Sequence, residues 1–265
     1  RQNSLVKDLR RAFMRAEPTN EGAVAIEGIR VIEEAIRSGL RFDAVFFSQT
    51  GRVHAARLLP QISSHSQSLL LPDEVFSSAV STESPQGVAA LVRLRPAMLE
   101  DFLEQVNDDL LLVGVAGIQD PGNLGTIIRS AEAFSARAVL LGEKTVSQFN
   151  PKAVRASAGS LFREPLVSVK MAETIDLLKQ HGVKVLATSS HKGTPLPEAD
   201  FARPSLVVIG NEGAGVPPEI VAMADELITI PHSVRVESLN AGIAASVILY
   251  EAAKQKAGKL TADRH

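Results

Sequence analysis

The sequence predicts an α/β protein whose second half forms a mainly parallel sheet with helices on both faces. Along the 265 residues, short apolar runs alternate with helical patterns. Apolar residues make up 45% of the chain and charged residues 22%, the balance of a folded globular protein and not of a disordered one. No apolar run reaches the roughly 18 residues needed to cross a bilayer.

The first 95 residues predict a basic helix followed by a small α/β domain. Residues 1–20 carry five basic and two acidic side chains, and Leu5–Ala16 fits an amphipathic helix. A basic end on a chain of net charge −2 can contact phosphates, although a solvated helix face explains it equally well. From Glu21 a second helical pattern runs to Gly39. Strands are predicted at 42–47, 69–71 and 87–94, and short helices at 53–59 and after Pro72.

Pro96 and the acidic stretch 100–109 mark a boundary, after which the α/β pattern restarts. Strands are predicted at 110–115, 138–141, 166–169, 184–187, 206–209 and 227–230, with helices at 123–134, 171–181, 217–222 and 239–256. We therefore expect five segments. They are a basic extension (1–20), a small α/β domain (21–95), a linker (96–109), a larger α/β domain (110–257) and a tail (258–265).

In sheets of this kind the ligand lies beyond the carboxyl ends of the strands, so the residues after each strand are the informative ones. After the strand 110–115, Asn123 is expected to cap the next helix. Arg129 lies one turn beyond Thr126 and places a guanidinium near the strand ends, where it can bind a phosphate or an oxyanion. A capped helix with a surface arginine explains this segment equally well.

A glycine-rich loop follows the strand 206–209. Three glycines between Gly210 and Gly215 allow the backbone to approach a ligand closely. The loop matches neither the dinucleotide fingerprint nor a P-loop. Glu212 lies between glycines, which suggests that its side chain has a polar function. Many glycine-rich loops, however, only reverse the direction of the chain.

Two further segments carry candidate residues. Ser238 and Asn240 stand at the start of the last helix, where capping alone would also explain them. The segment 150–163 contains Lys152, Arg155 and Arg163 between small residues, which is a possible phosphate-binding track or an ordinary exposed helix.

Three motifs now stand in order: N-x-G-x-x-x-R at 123–129, I-G-N-E-G-x-G at 209–215, and I-P followed by E-S-L-N at 230–240. Together they resemble the motifs of the SpoU/TrmH branch of the SPOUT RNA methyltransferases over residues 110–256. Residues 21–95, with Glu27-Gly28 and Pro85-Gln86-Gly87, resemble that family's ribosomal-protein-like substrate-binding domain.

The resemblance implies a deep trefoil knot and methyl transfer from S-adenosylmethionine to a ribose 2′-hydroxyl in RNA. It implies cofactor contacts from Thr188, Ser189, Gly210, Asn211, Glu212, Gly213, Ile230, Pro231, Ser238, Leu239 and Asn240. It also implies a homodimer paired through the knotted domain and its last helix. RNA contacts are expected from Glu27, Gly28, Arg30, Lys152, Arg155 and Arg163.

By the same resemblance, Arg129 is either the proton acceptor or the charge that stabilises the oxyanion. Arginine normally stays protonated, which favours the second role. Asn123 and Glu212 would position Arg129 and the substrate, and Ser238 and Asn240 would complete the pocket. No metal is expected, because the six histidines are scattered and form no ligand motif.

Several alternatives stay open. The chain could be a non-catalytic RNA-binding module of this fold, or a small-molecule α/β enzyme that uses the glycine loop for a phosphate. Within the family, ribosomal RNA is favoured over transfer RNA because of the extra N-terminal domain and basic start.

The chain contains no cysteine, which excludes disulfides and thiolate catalysis. Because the sequence also shows no signal-peptide pattern, we expect a cytoplasmic protein.

Overall fold

The computed structural model describes residues 3–233 and 235–262, with side chains to residue 257. The chain divides into two compact units. The first contains the chain up to Arg95 together with Ser147–Arg163, and the second contains Pro96–Val146 together with the chain from Glu164 onward. Within the described residues, no helix is both long and apolar enough to cross a bilayer.

The first unit is built on a four-stranded sheet. Its elements up to Arg93 are α1 (Ser4–Arg15), β1 (Val24–Glu27), α2 (Ile29–Arg37), β2 (Arg41–Ser48), α3 (Ala55–Leu58), β3 (Gln67–Leu71), α4 (Asp73–Ala79) and β4 (Val88–Arg93). The strand order is β1-β4-β2-β3. Strand β4 runs antiparallel to both of its neighbours, whereas β3 is parallel to β2.

Helix α1 confirms the amphipathic helix predicted at the start of the chain. The Asn3 side chain accepts a hydrogen bond from the amide of Leu5 at 2.9 Å and so caps the helix. One face buries Val6, Leu9, Ala12 and Phe13. The helix therefore packs as part of the first unit's core, and most of its basic side chains remain exposed.

The expectation that a helix begins at Glu21 is wrong. Val24–Glu27 is instead strand β1, with all four residues buried and paired with β4. A strand that is buried on both faces shows no alternation, so its apolar run merged with the helical pattern that follows. Gly28, with φ of +99°, turns the chain, and α2 begins at Ile29.

The second unit is a seven-stranded sheet with helices. Its elements are α5 (Glu100–Leu103), β5 (Leu111–Ala116), α6 (Pro121–Ala133), β6 (Ala138–Leu141) and, after α7 (Pro151–Ala156) of the first unit, β7 (Leu166–Ser168), α8 (Met171–Gln180), β8 (Lys184–Thr188), β9 (Thr194–Pro195), β10 (Ser205–Gly210), α9 (Pro218–Met223), β11 (Glu226–Thr229) and α10 (Ala241–Ala262).

The strand order in the second unit is β7-β6-β5-β10-β8-β11-β9, and every neighbouring pair is parallel. The predicted parallel sheet is confirmed. Because all strands point the same way, their carboxyl ends lie along one edge. The trefoil knot implied by the resemblance stays a prediction.

Helix α6 begins two residues earlier than expected. The cap is Asp120, whose side chain accepts a hydrogen bond from the amide of Asn123 at 2.9 Å, so the expectation that Asn123 caps the helix is wrong. Pro121 occupies the first helical position, where its missing N–H costs nothing. Asn123 therefore lies inside the first turn, and its side chain is available for another partner.

Glu164 is a buried acid in the second unit, just before β7. The side-chain oxygen Oε1 has no hydrogen-bond partner among the described residues. Burial raises the pKa of this carboxyl to about 8, and the nearby Glu132 carboxylate raises it further. The group is therefore largely protonated at neutral pH in the folded state and ionised in the unfolded state.

We expect Glu164 to make the protein less stable as pH rises. Its folded pKa lies above the unfolded value, so the folded state binds more protons between about pH 4.5 and 8. Over that window the free energy of unfolding should fall by about 1.4 kcal/mol per pH unit from this group. Urea unfolding at several pH values should show a flatter dependence for Glu164→Gln. Glu104→Gln, at an exposed acid of the same unit, is the control, and equal slopes for both variants would contradict the assignment.

Candidate functional site

A shallow cleft of about 80 Å³, partly open to solvent, lies in the second unit where β8, β10 and β11 end. Its lining comes from three stretches that follow these strands and from the start of α10. The lining residues are Thr188, Ser189, Ser190, Ile209, Gly210, Asn211, Glu212, Gly215, Ile228, Ile230, His232, Ser238, Leu239, Ala241, Ala244 and Ile248. The position agrees with the rule that ligands bind at the carboxyl edge of a parallel sheet.

Asn211 shapes the glycine-rich loop after β10. Its backbone pairs with Gly215 in an isolated antiparallel bridge. Its side-chain Oδ1 accepts hydrogen bonds from the amides of Gly213 at 2.9 Å and Ala214 at 3.2 Å. Its Nδ2 donates to the carbonyl oxygen of Gly117, just after β5, at 3.2 Å. One side chain therefore closes the loop and ties it to the neighbouring strand end.

The loop requires glycine at some positions and not at others. A Cβ at Gly210 would lie 2.2 Å from the backbone of Gly215 and Val216, so no larger residue fits. Gly215 has a φ of +70°, which other residues rarely adopt. At Gly213 the nearest atom to an added Cβ is 3.6 Å away, so this glycine is not required by packing.

A second amide side chain joins the first and third motif segments. Asn240 Nδ2 donates to Asn123 Oδ1 at 2.8 Å, across 117 residues of sequence. Asn240 Oδ1 accepts from the amide of Ile243 at 3.2 Å and so caps α10. The Asn211–Gly117 bond separately ties the second motif segment to the residue that follows β5, six residues before the first motif segment begins.

Helices α6 and α10 pack side by side beyond this bond. A Cβ at Gly242 would lie 3.0 Å from Thr126. The hydroxyls of Ser130 and Ser246 are 2.6 Å apart. Further along, the rings of Phe134 and Tyr250 meet edge to face with centroids 5.8 Å apart. The small residues near the cleft allow the two helices to approach closely there.

The structure brings together most of the predicted cofactor residues but not all of them. Thr188, Ser189, Gly210, Asn211, Glu212, Ile230, Ser238 and Leu239 line the cleft, whereas Gly213, Pro231 and Asn240 lie outside its lining. Arg129 is also outside the lining. It is exposed on α6 and makes no hydrogen bond or ion pair to another described residue.

Sequence reasoning missed several lining residues, among them Ser190 and His232. The Nδ1 atom of His232 lies 2.7 Å from the carbonyl oxygen of Ile230, and its ring centroid is 6.2 Å from that of His191. Each missed residue directly follows one that was predicted, so the rule of reading past the strand ends would have found both. The apolar residues Ile228 and Ile248 gave no such signal, because they look like ordinary core.

The predicted RNA-contact residues belong to the first unit. Glu27, Gly28, Arg30 and Arg155 line one cavity there. Burial raises the pKa of Glu27, against the effect of the Thr82 hydroxyl, which donates to its carboxylate at 2.8 Å, and of the Arg155 charge. Two residues lie outside the lining. Lys152 is exposed on α7, and Arg163 contacts Glu34 and Ser38 at 3.1 and 3.0 Å.

We expect Gly210→Ala to destabilise the protein and Gly213→Ala to leave its stability almost unchanged. The first adds a methyl group into backbone atoms 2.2 Å away, and the second meets nothing closer than 3.6 Å. Overpacking of this kind costs about 1–3 kcal/mol. Urea unfolding of both variants checks the contrast, which a similar loss in both, or in neither, would contradict.

Two protein-family models match the chain, one of an rRNA methylase family and one of a substrate-binding domain. The model of the SpoU rRNA Methylase family matches residues 110–250. The model of the MRM3-like substrate binding domain matches residues 3–90. This span includes α1, which was predicted to belong to a separate N-terminal extension.

Individual relatives match over almost the whole chain. The chain is 34% identical to the 23S rRNA (guanosine(2553)-2′-O)-methyltransferase RlmP of Bacillus subtilis, covering 94% of this chain and 96% of RlmP. It is 31% identical to a 23S rRNA (uridine(2479)-2′-O)-methyltransferase of Streptomyces viridochromogenes, covering 94% and 88%. The crystal structure of the SpoU methyltransferase AviRb from that organism, in complex with AdoMet, has a TM-score of 0.82 at 28% identity, covering 97% and 99%. The chain belongs to the SpoU family of RNA methyltransferases.

Proposed function

We propose that this protein transfers a methyl group from S-adenosylmethionine to a ribose 2′-hydroxyl of ribosomal RNA. The observation that carries the proposal is a pair of hydrogen bonds beside one cleft. Asn123–Asn240 joins the first and third motif segments, and Asn211–Gly117 ties the glycine-rich loop to the end of β5. The similarity to RlmP and to the AdoMet complex of AviRb over nearly the full chain supports it.

The cleft has the properties that S-adenosylmethionine requires. Gly215 is exposed at the cleft and has no side chain to obstruct it, and Ala241 and Ala244 keep one wall shallow. Isoleucines provide apolar surface for an adenine ring. When bound, the cofactor supplies an electrophilic methyl group on a sulfonium. Neither lysine nor arginine lines the cleft among the described residues, so no side-chain cation there opposes that positive charge.

The roles of the chain's own residues follow from their positions. The Arg129 guanidinium stabilises the negative charge that develops on the ribose oxygen. The Asn123–Asn240 bond fixes the first turns of α6 and α10. Glu212 and Ser238, on the cleft wall, orient the reacting groups. Most of the acceleration then comes from positioning, which supplies up to ~7–11 kcal/mol in well-oriented reactions.

Ribosomal RNA is the favoured substrate, because the relatives in the comparison bear 23S rRNA in their names. Transfer RNA is the alternative within the same chemistry. Methyl transfer from tritiated S-adenosylmethionine to transcribed rRNA and tRNA, followed by mapping of 2′-O-methyl positions, distinguishes the two. We expect the cytoplasm to be the place of action, since RlmP and the Streptomyces relative are bacterial proteins and bacteria assemble ribosomes in the cytoplasm.

A homodimer through α10 is part of the proposal. Ile243, Val247 and Tyr250 form an exposed apolar stripe on this helix, with 55%, 39% and 56% of their surfaces accessible, while Ile248 faces the core. The face of α10 that packs against α6, which contains Ser246, lies beside this stripe. Arg129 is outside the lining of its own cleft, so in this proposal a second copy that packs on the stripe supplies its Arg129 to the ribose oxygen of the RNA.

We expect Arg129→Ala to lower kcat by at least roughly 10²–10³-fold, because it removes a charge used only as the reaction proceeds. Affinity for S-adenosylmethionine, measured by calorimetry, should stay within twofold of wild type. Arg137→Ala, at another exposed arginine of the same unit, is the control. Normal turnover of the Arg129 variant would remove this residue from the mechanism.

We expect Ile243→Lys to produce a monomer, since a charge in the middle of an apolar interface is costly. Sedimentation velocity at micromolar concentration measures the mass. Met98→Lys, at an apolar residue of the same unit that is 61% exposed, should leave the assembly unchanged. The monomeric variant should bind S-adenosylmethionine but fail to methylate RNA. A wild-type monomer, or a fully active monomeric variant, would contradict the dimer.

A further inference from the structure

The first unit contains a cavity of about 640 Å³ between α2, the segment 82–86 and the segment 155–159. This volume falls within the range of roughly 300–1,000 Å³ that is usual for small-molecule sites. The lining includes both acids and arginines. Which charges are available to a ligand depends on which of them already have partners.

Each acid that lines the cavity has a partner within the unit. Glu33 forms an ion pair with Arg57. Glu34 forms ion pairs with Arg37 and Arg163. The Glu27 carboxylate accepts the Thr82 hydroxyl hydrogen bond at 2.8 Å.

Two arginines of the lining remain available. Arg30 and Arg155 make no hydrogen bond or salt bridge to another described residue, and Arg155 is only near enough to Glu27 to affect its pKa. A guanidinium binds phosphate oxygens through paired N–H donors. The charge that this cavity offers to a ligand is therefore positive.

The remaining wall supplies a directed donor and an apolar surface. The Gln86 side-chain Oε1 accepts a hydrogen bond from the amide of Ile29 at 3.1 Å, which leaves its Nε2 as a donor at the cavity. Val31 and Ala158 are apolar. Gly159, with φ of +91°, leaves no room for a side chain, because a Cβ there would lie 2.8 Å from Glu34.

We propose that this cavity binds a single ribonucleotide of the substrate RNA, with its phosphate at Arg30 and Arg155. The base lies along the wall of Val31 and Ala158 and accepts a hydrogen bond from Gln86 Nε2. The identification of the source as RNA rests on the proposed function. A base inside a helix cannot enter such a cavity, so the nucleotide is an unpaired one from a loop or a bulge.

The first experiment titrates the full-length ¹⁵N-labelled protein with UMP, uridine and inorganic phosphate. We expect UMP to shift the amide resonances of Gly28 and Gly159 and to bind about tenfold more tightly than uridine or phosphate alone, because it makes both sets of contacts. Arg155→Gln and Gln86→Glu should each weaken UMP binding about tenfold. The glutamate keeps an acceptor for the Ile29 amide and removes the donor. Arg52→Gln, at an exposed arginine of the same unit outside the lining, should bind UMP normally.

Three results would overturn the nucleotide site. They are no shift at the two glycines at millimolar UMP, phosphate binding as tight as UMP binding, or variants that bind UMP like wild type.

The second experiment asks whether the nucleotide comes from RNA. With transcribed 23S rRNA, Arg155→Gln should raise the KM for RNA about tenfold and leave kcat and S-adenosylmethionine affinity unchanged. An unchanged KM together with UMP binding would assign the cavity to free nucleotides and overturn the RNA source. A wild-type protein that methylates no RNA would overturn the proposed function, and the UMP titration would still decide whether the cavity binds a nucleotide.

Discussion

The hydrogen bond between Asn123 and Asn240 is the constraint on which the second unit's site depends. A parallel sheet brings strand ends to one edge but does not fix the loops that leave them. Here the two amides join the first turn of α6 to the residue that caps α10, and Asn211 adds the link to the end of β5. Such a bond contributes about 1 kcal/mol net, yet loss of the exposed Asn240 would leave the buried Asn123 side chain without this partner, which costs more. The pair therefore enforces geometry more than it adds stability.

The close approach of α6 and α10 follows from this bond. The sequence places Gly242 and Ser246 one turn apart on α10, and the corresponding face of α6 carries Thr126 and Ser130. A larger residue at any of these positions would separate the helices and lengthen the hydrogen bond between Asn123 and Asn240. Because this face of α10 packs against α6, the apolar stripe that contains Ile243 is exposed to solvent. The composition of one helix thus sets both the inner seam and the outer apolar face.

Most of the second unit could be predicted from sequence, because its main strands are short, fully buried apolar runs bounded by turn residues. The start of the first unit could not, since β1 is buried throughout and leaves no period to read. At the site, the capping role predicted for Asn123 belongs to Asp120, because both residue types cap helices equally well. Gly210, Gly213 and Gly215 all matched the motif, yet packing requires glycine only at Gly210, and a positive φ favours it at Gly215. Spacing identifies a loop, and only coordinates show which of its members meet other atoms.

The two units differ in charge in the way that their proposed ligands differ. The cleft of the second unit has an acid, Glu212, and neither lysine nor arginine among its lining residues, which suits a sulfonium cation. The cavity of the first unit has its acids partnered and leaves Arg30 and Arg155 available, which suits a polyanion. Exchanging these environments would oppose both ligands, because a guanidinium near the sulfonium repels it and an unpaired carboxylate repels a phosphate. A protein that binds a cation and a polyanion therefore benefits from two separate sites. One site lacks basic side chains, and the other has its acids paired and its arginines available.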